Sequence, residues 1–285
     1  MATPESGVND DQSAYWNGEA GKRWVDGQEA MDVMLAPFGE KAMDAVGVPK
    51  GAEIIDLGCG CGGTTLELAR RTGPMGRVLG IDISTPMLRR AQQRAGEAGL
   101  AHTLFINTDA STHGFEAQKA DLAFSRFGVM FFANPIPAFR NIRAAMRPDA
   151  RLTFACWRPV EENEWVTVPR DVALRHVAKP EPMKPGAPGP FAFADPKHVA
   201  TVLGTAGFRG VTLARFDQVM RHEGSVEEVA DGVARSGPAS RLIVEAASDD
   251  IRGRIMDDMR ALIARRHDGK GVDLNSAAWI VTASA

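Results

Sequence analysis

Short, near-continuous apolar runs alternate with helix-length amphipathic stretches from Glu53 to Trp157. The runs at 53–57, 78–83, 104–107, 120–124 and 152–157 read as strands buried on both faces; 64–71, 86–98 and 138–146 between them read as helices. Gly73-Pro74 stops the first of these helices. Strands alternating with helices predict an α/β fold with a mostly parallel sheet covered on both faces. Before this core, residues 12–47 are helical in pattern: Tyr15, Trp16 and Trp24 lie in one stretch, and Met31, Met34, Leu35, Phe38 and Met43 recur at helical spacing in a second.

After Trp157 the rhythm breaks. Seven prolines fall between Pro159 and Pro190, which marks an irregular excursion. Asp195-Pro196 then opens a helix that ends at Gly207, and 211–216 resumes the sheet. Residues 225–268 are helical again, with Val226, Val229 and Val233 on one spacing and Ile251, Ile255, Met259 and Ile263 on another. A final strand covers 279–282. The expected organisation is a helical cap at 1–47 and a core at 48–157, interrupted by insertions at 158–194 and 217–272. The core continues at 195–216 and closes with 273–285. The two insertions are expected to form a lid roofing an acceptor site.

Composition narrows the class without naming an activity. Apolar residues make up 44% and charged residues 24% of 285, and a chain of this length needs no disulfide or metal to fold. A net charge of −3 argues against wholesale affinity for nucleic acid or anionic membranes. Cys59, Cys61 and Cys156 are too few and badly spaced for a disulfide framework or a zinc site, so no metal is expected. Unpaired thiols, a polar N-terminus and the lack of a long apolar run lead to the expectation of a cytoplasmic, non-membrane protein.

The most informative stretch is Ile54-Ile55-Asp56-Leu57-Gly58-Cys59-Gly60-Cys61-Gly62-Gly63. A strand ends in glycines and a helix begins, so backbone N–H groups face whatever approaches the turn. Gly58, Gly60 and Gly63 match G-x-G-x-x-G, a weak signal alone. The second strand ends at Asp82, followed by Ile83, and a carboxylate there can take two ribose hydroxyls. Its alternative role is capping the helix that Ser84-Thr85-Pro86 opens.

Asp56 to Gly62, then Gly80-Ile81-Asp82-Ile83-Ser84, then Asn107-Thr108-Asp109-Ala110, together resemble the class I S-adenosylmethionine-dependent methyltransferases. The small-molecule branch that includes the quinone-biosynthesis C-methyltransferases is most similar. The resemblance covers about residues 30–157 and resumes at 195–216 and 278–284. It implies a Rossmann-like doubly wound sheet with an antiparallel last strand, S-adenosylmethionine as cofactor and S-adenosylhomocysteine as product. It further implies that the glycine loop meets the amino-acid part, Asp82 the ribose, Asp109 the adenine amino group and Ala110 the ring through its backbone. Met87 stands where the family packs an apolar side chain on adenine. Asp56, Ile83, Ser125 and Trp24 complete the expected cofactor set.

The competing readings are a protein of this fold that binds cofactor without catalysis, and an NAD(P)-dependent oxidoreductase. The short-chain oxidoreductases use a Tyr followed four residues later by Lys, whereas the only tyrosine, Tyr15, is followed at that spacing by Glu19. Methyl transfer needs alignment and exclusion of water more than a nucleophile. Tyr15, Trp16, Arg126 and Trp157 are the candidate acceptor residues: aromatic faces suit a cation or an apolar acceptor, and the planar Arg fork suits an anion. The acceptor is expected to be a small molecule, apolar or aromatic, and neither nucleic acid nor membrane. None of the six histidines sits in a partner motif, so no general base and no catalytic residue is assigned.

Overall fold

Among the described residues, seven strands pair into one sheet. The computed structural model describes residues 9–180, 186–235, 237–244 and 248–285. Three helices come first, α1 (Asp10–Asn17), α2 (Glu19–Asp26) and α3 (Gln28–Val46). The core follows as β1 (Glu53–Leu57), α4 (Gly63–Thr72), β2 (Arg77–Asp82), α5 (Thr85–Glu97), β3 (Thr103–Asn107), β4 (Ala120–Arg126), α6 (Pro135–Ala145) and β5 (Met146–Trp157). Then come α7 (Glu164–Ala173), α8 (Pro196–Ala206), β6 (Arg209–Glu223), α9 (Val226–Arg235), α10 (Ala239–Val244), α11 (Asp249–Arg266) and β7 (Gly271–Ser284). The sheet order is β3-β2-β1-β4-β5-β7-β6: β1 pairs in parallel with β2 and β4, β2 with β3, and β4 with β5, whereas β7 runs antiparallel to β5. This is the mostly parallel sheet that the sequence pattern predicts, in the doubly wound, Rossmann-like arrangement with an antiparallel last strand that the resemblance implies. Among the described residues no helix is long and apolar enough to cross a membrane.

The chain divides into two units. The first comprises the described residues up to Trp157, with Gly186–Phe216 and Ala278–Ala285; the second comprises the described residues of Arg158–Pro185 and Asp217–Ala277. Residues 186–194, expected in the first insertion, therefore group with the sheet, where Trp279 Nε1 donates to Ala194 O at 2.9 Å. The strands β6 and β7 run longer than expected, because alternating burial continues past Phe216 and begins at Gly271.

In the first unit, buried Ile54, Leu57, Ile81, Leu122 and Phe154 put hydrocarbon on both faces of the sheet, as the continuous apolar runs require. The helix signals also act as expected. Asp195 accepts from Lys197 N at 2.9 Å to cap α8, Pro196 takes the first helical position, and Gly207 ends the helix at φ +98°. In the second unit, α7, α9 and α11 pack their apolar faces together: Val172, Val233, Ile255, Met259 and Ile263 are buried, with Val226 and Ile251 at the margin. A reciprocal bond between Ser225 and Glu228 starts α9, Glu228 Oε2 accepting from Ser225 N at 2.8 Å.

Candidate functional site

The turn after β1 is built on left-handed glycines: Gly58, Gly60 and Gly62 have φ of +67°, +55° and +81°. A Cβ at Gly58 would lie 2.8 Å from the Cα of Gly128, so the loops after β1 and β4 touch backbone to backbone. Ser125 strengthens that contact. Its buried hydroxyl donates to Leu57 O at 2.8 Å and accepts from Gly128 N at 3.1 Å and Val129 N at 3.3 Å. Ser125 is thus engaged in joining the two loops.

Asp82 closes β2 and faces the glycine turn. Its Oδ2 accepts from Gly60 N and its Oδ1 from Ser84 N, both at 2.8 Å. The sequence offers Asp82 as ribose acceptor or as cap of the following helix. Here its carboxylate holds the glycine turn and the N–H of Ser84, which itself takes the N-cap position of α5. Each carboxylate oxygen keeps a further lone pair for a hydroxyl donor. Burial pushes the Asp82 carboxyl above its usual range, against the pull of its backbone N–H donors. Over the same turn, a Cβ at Gly60 would lie 2.9 Å from Met87 Cε and 3.9 Å from Trp24 Nε1. Gly60, Asp82, Met87 and Trp24 therefore meet at one place. Cys59 and Cys61 flank Gly60, but burial raises both thiols, which removes them as nucleophiles.

Asp56 lies behind the turn, fully buried, its Oδ2 accepting from Thr64 Oγ1 and Thr65 Oγ1 at 2.7 Å each. It ties β1 to the first turn of α4. Its Oδ1 has no hydrogen-bond partner, and burial pushes the carboxyl up to about 6.

The rest of the expected set is spread along the ends of β2 to β5. Ile83 presents its carbonyl to Asn17 Nδ2 at 2.9 Å. Asp109 and Ala110 follow β3; Asp109 Oδ1 accepts from Ser111 N and its Oδ2 from Asn9 Nδ2, both at 2.8 Å. Trp16 meets Tyr15, Trp24 and Phe131 edge to face at 5.2, 5.9 and 5.4 Å. Tyr15 is exposed. Trp157 is buried, stacked on Phe127 at 4.0 Å with an interplanar angle of 10°, and Phe127 itself holds a left-handed φ of +62°. Such strain persists only where surroundings enforce it, here at the carboxyl end of β4.

Arg126 is mostly buried beside Asp32, Nη2 to Oδ1 at 3.6 Å. Asp32 also takes Arg94 Nη2 at 2.7 Å and Gln28 Nε2 at 2.6 Å, and a Cβ at Gly63 would lie 2.5 Å from its Oδ1. This charged group against the start of α4 was not foreseen. Asp32 carries no motif, and its cationic partners Arg94 and Arg126 lie far along the chain. Asn9 and Asn17 were missed for the same reason. Histidine side chains pair elsewhere: His176 with Asp258 at 2.9 Å, His102 with Ala69 O at 3.0 Å and His267 with Gly224 O at 2.7 Å.

An S-adenosyl group fits what the loops display. The glycine turn leaves backbone accessible where a Cβ would intrude, and Asp82 and Asp109 offer acceptors at the ends of neighbouring parallel strands, the side where open α/β sheets take ligands. Residues 54–149 match the family model described as a methyltransferase domain. The chain is 32% identical over 181 residues to a nocamycin O-methyltransferase of Saccharothrix syringae, covering 60% of this chain and 64% of that one. It is 30% identical over 114 residues to a demethylmenaquinone methyltransferase of Lactiplantibacillus plantarum, covering 40% and 48%. The matched region thus spans about half to somewhat under two thirds of these relatives' length. Among solved structures, a geranyl diphosphate C-methyltransferase of Streptomyces coelicolor shares the fold at a TM-score of 0.57 and 15% identity, with 99% of each chain covered. The YcgJ protein of Bacillus subtilis does so at 0.56 and 14%, covering 87% of this chain and 98% of that one. Residues 54–149 thus match a methyltransferase domain, and the chain is similar in sequence to proteins named as methyltransferases and shares the fold of solved ones.

Proposed function

We propose that this chain transfers the methyl group of S-adenosylmethionine to a small organic acceptor with an apolar or aromatic body. The observation that carries the reading is the convergence of Gly60, Asp82, Met87 and Trp24 at the turn after β1. When bound, S-adenosylmethionine supplies a methyl group already activated on a sulfonium, so the protein's work is alignment and exclusion of water. Asp82 orients the ribose through its remaining lone pairs, and Asp109 accepts from the adenine amino group. Met87 gives a polarizable apolar contact over the turn, and Trp24 turns an aromatic edge to it. Ile83 and Ala110 contribute main-chain groups beside these acids.

The acceptor class is supported by the aromatic residues Tyr15, Trp16 and Trp24, and by relatives named for nocamycin, aklanonic acid and demethylmenaquinone. Arg126 sits loosely against Asp32 and carries five N–H donors, so it suits an anionic substituent on the acceptor. Three buried free thiols support work in a reducing cytoplasm.

Calorimetric titration with S-adenosylhomocysteine, with NAD and NADP as controls, tests the cofactor. Binding of the homocysteine compound alone is expected, and binding of NAD or NADP instead would overturn the reading. An acceptor screen with methyl-labelled cofactor, including quinols and phenols, then separates turnover from binding without catalysis.

A further inference from the structure

The helix α1 buries none of its own residues, yet it is fastened at both ends to the loops that carry the candidate cofactor residues. At its start, the buried Asn9 uses both halves of its carboxamide. Its Nδ2 donates to Asp109 Oδ2 at 2.8 Å and Ser111 Oγ at 3.2 Å, and its Oδ1 accepts from Ala133 N at 3.0 Å. These groups belong to the loops after β3 and β4. At its end, Asn17 repeats the device on the loop after β2: Nδ2 donates to Ile83 O and Oδ1 accepts from Thr85 N, both at 2.9 Å. Beside it, Ser84 Oγ donates to Trp16 O at 2.7 Å. An eight-residue helix is thus tied to the loops after β2, β3 and β4 by side-chain amides at its two tips.

Polar attachment of this kind opens more easily than an apolar face, because water replaces each broken hydrogen bond. Asp109 is not closed off by it. A carboxylate has about four acceptor positions, and Asn9 and Ser111 take two, so an amino group of adenine still finds a place beside the Asn9 amide.

We propose that Asn9 and Asn17 are positioning residues that latch α1 as a strap over the nucleoside end of the cofactor site and set how fast cofactor enters and leaves. The proposal rests on the S-adenosylmethionine reading above. The strap lifts when both amides release and recloses over the bound nucleoside, with Trp16 and Trp24 near enough to report the event by fluorescence.

The test uses full-length Asn9→Ala and Asn17→Ala variants with two measurements. Hydrogen–deuterium exchange on the ligand-free protein is expected to show faster exchange of the α1 amides in each variant, with the β1–β5 amides unchanged. Stopped-flow tryptophan fluorescence with S-adenosylhomocysteine is expected to show dissociation about tenfold faster, as for loss of one or two hydrogen bonds, with association also faster. Unchanged α1 exchange with unchanged rates would overturn the latch. Faster association with unaltered dissociation would overturn it too, by making Asn9 an obstruction. A wild-type protein that binds no S-adenosylhomocysteine overturns the cofactor reading and this inference together, whereas normal binding with unaltered variant rates overturns this inference alone. Two variants at opposite ends of α1 keep the test valid if one fails to fold.

Discussion

The helices α1 and α3 lie in the same N-terminal segment and are attached by opposite means. The longer, α3, buries Leu35, Phe38, Ala42 and Met43, and Phe38 meets Trp157, Phe127 and Phe216 edge to face at 5.1, 5.3 and 5.5 Å. The shorter, α1, buries no residue of its own and depends on amide bonds at its ends and on the half-buried Trp16. Burial is additive and hard to reverse locally, whereas hydrogen bonds to loops exchange with water at little net cost. One segment therefore supplies a fixed wall and, a few residues earlier, a part suited to moving.

The largest effect should come from breaking the fixed wall. Phe38→Ala removes a fully buried ring and leaves a cavity among aromatic neighbours, so denaturant unfolding should lose about 3–5 kcal/mol. A loss below about 1 kcal/mol would mean that α3 is not held by this contact. A smaller effect, on binding rather than folding, comes from the loop to which the end of α1 is tied. Asp82→Ala should weaken S-adenosylhomocysteine binding by about 1–3 kcal/mol in calorimetry, through lost ribose bonds and a loosened Gly60 turn. Unaltered affinity would remove Asp82 from the cofactor site.

The contrast also explains what was legible in the sequence. The alternation of strands and helices, the glycine turn and Asp82 arise from local patterns: apolar runs, clustered glycines, and an acid at the end of the next strand. The apolar positions of α3 could be read from spacing, as could those of α9 and α11. Asn9 and Asn17 could not, because their partners lie 100 and 68 residues away in sequence and an asparagine near a helix end looks like an ordinary cap. Asp32 was hidden likewise: its partner Arg94 joins it only after α5 folds back beside the glycine turn. Motif matching also gives a residue a role without showing which way it faces. Asp56 and Ser125 stand in the motif segments, yet their oxygens bond Thr64, Thr65 and the β1 and β4 backbones. Trp157 is likewise stacked into the aromatic cluster around Phe38.

The smallest effect separates such a buried acid from the exchangeable contacts of α1. Burial lifts the Asp56 carboxyl to about 6, while in the unfolded chain it returns to about 3.9. Between those values the folded protein binds more protons than the unfolded one, so this group favours folding as pH falls and opposes it as pH rises through about 6. Loss of water on burial outweighs the two threonine hydroxyls that donate to Oδ2 and favour the anion, so the neutral form is the better buried species. Going from about pH 7.5 to about pH 5 should therefore add about 1–1.5 kcal/mol to the unfolding free energy through Asp56. Asp56→Asn, neutral throughout and able to keep an acceptor oxygen toward Thr64 and Thr65, should lose that increment. Parallel pH profiles for wild type and variant would show that the carboxyl is ionised and solvated despite its burial. The two asparagines of the α1 latch do not titrate, so Asp56→Asn should leave exchange of the α1 amides as it is in the wild type.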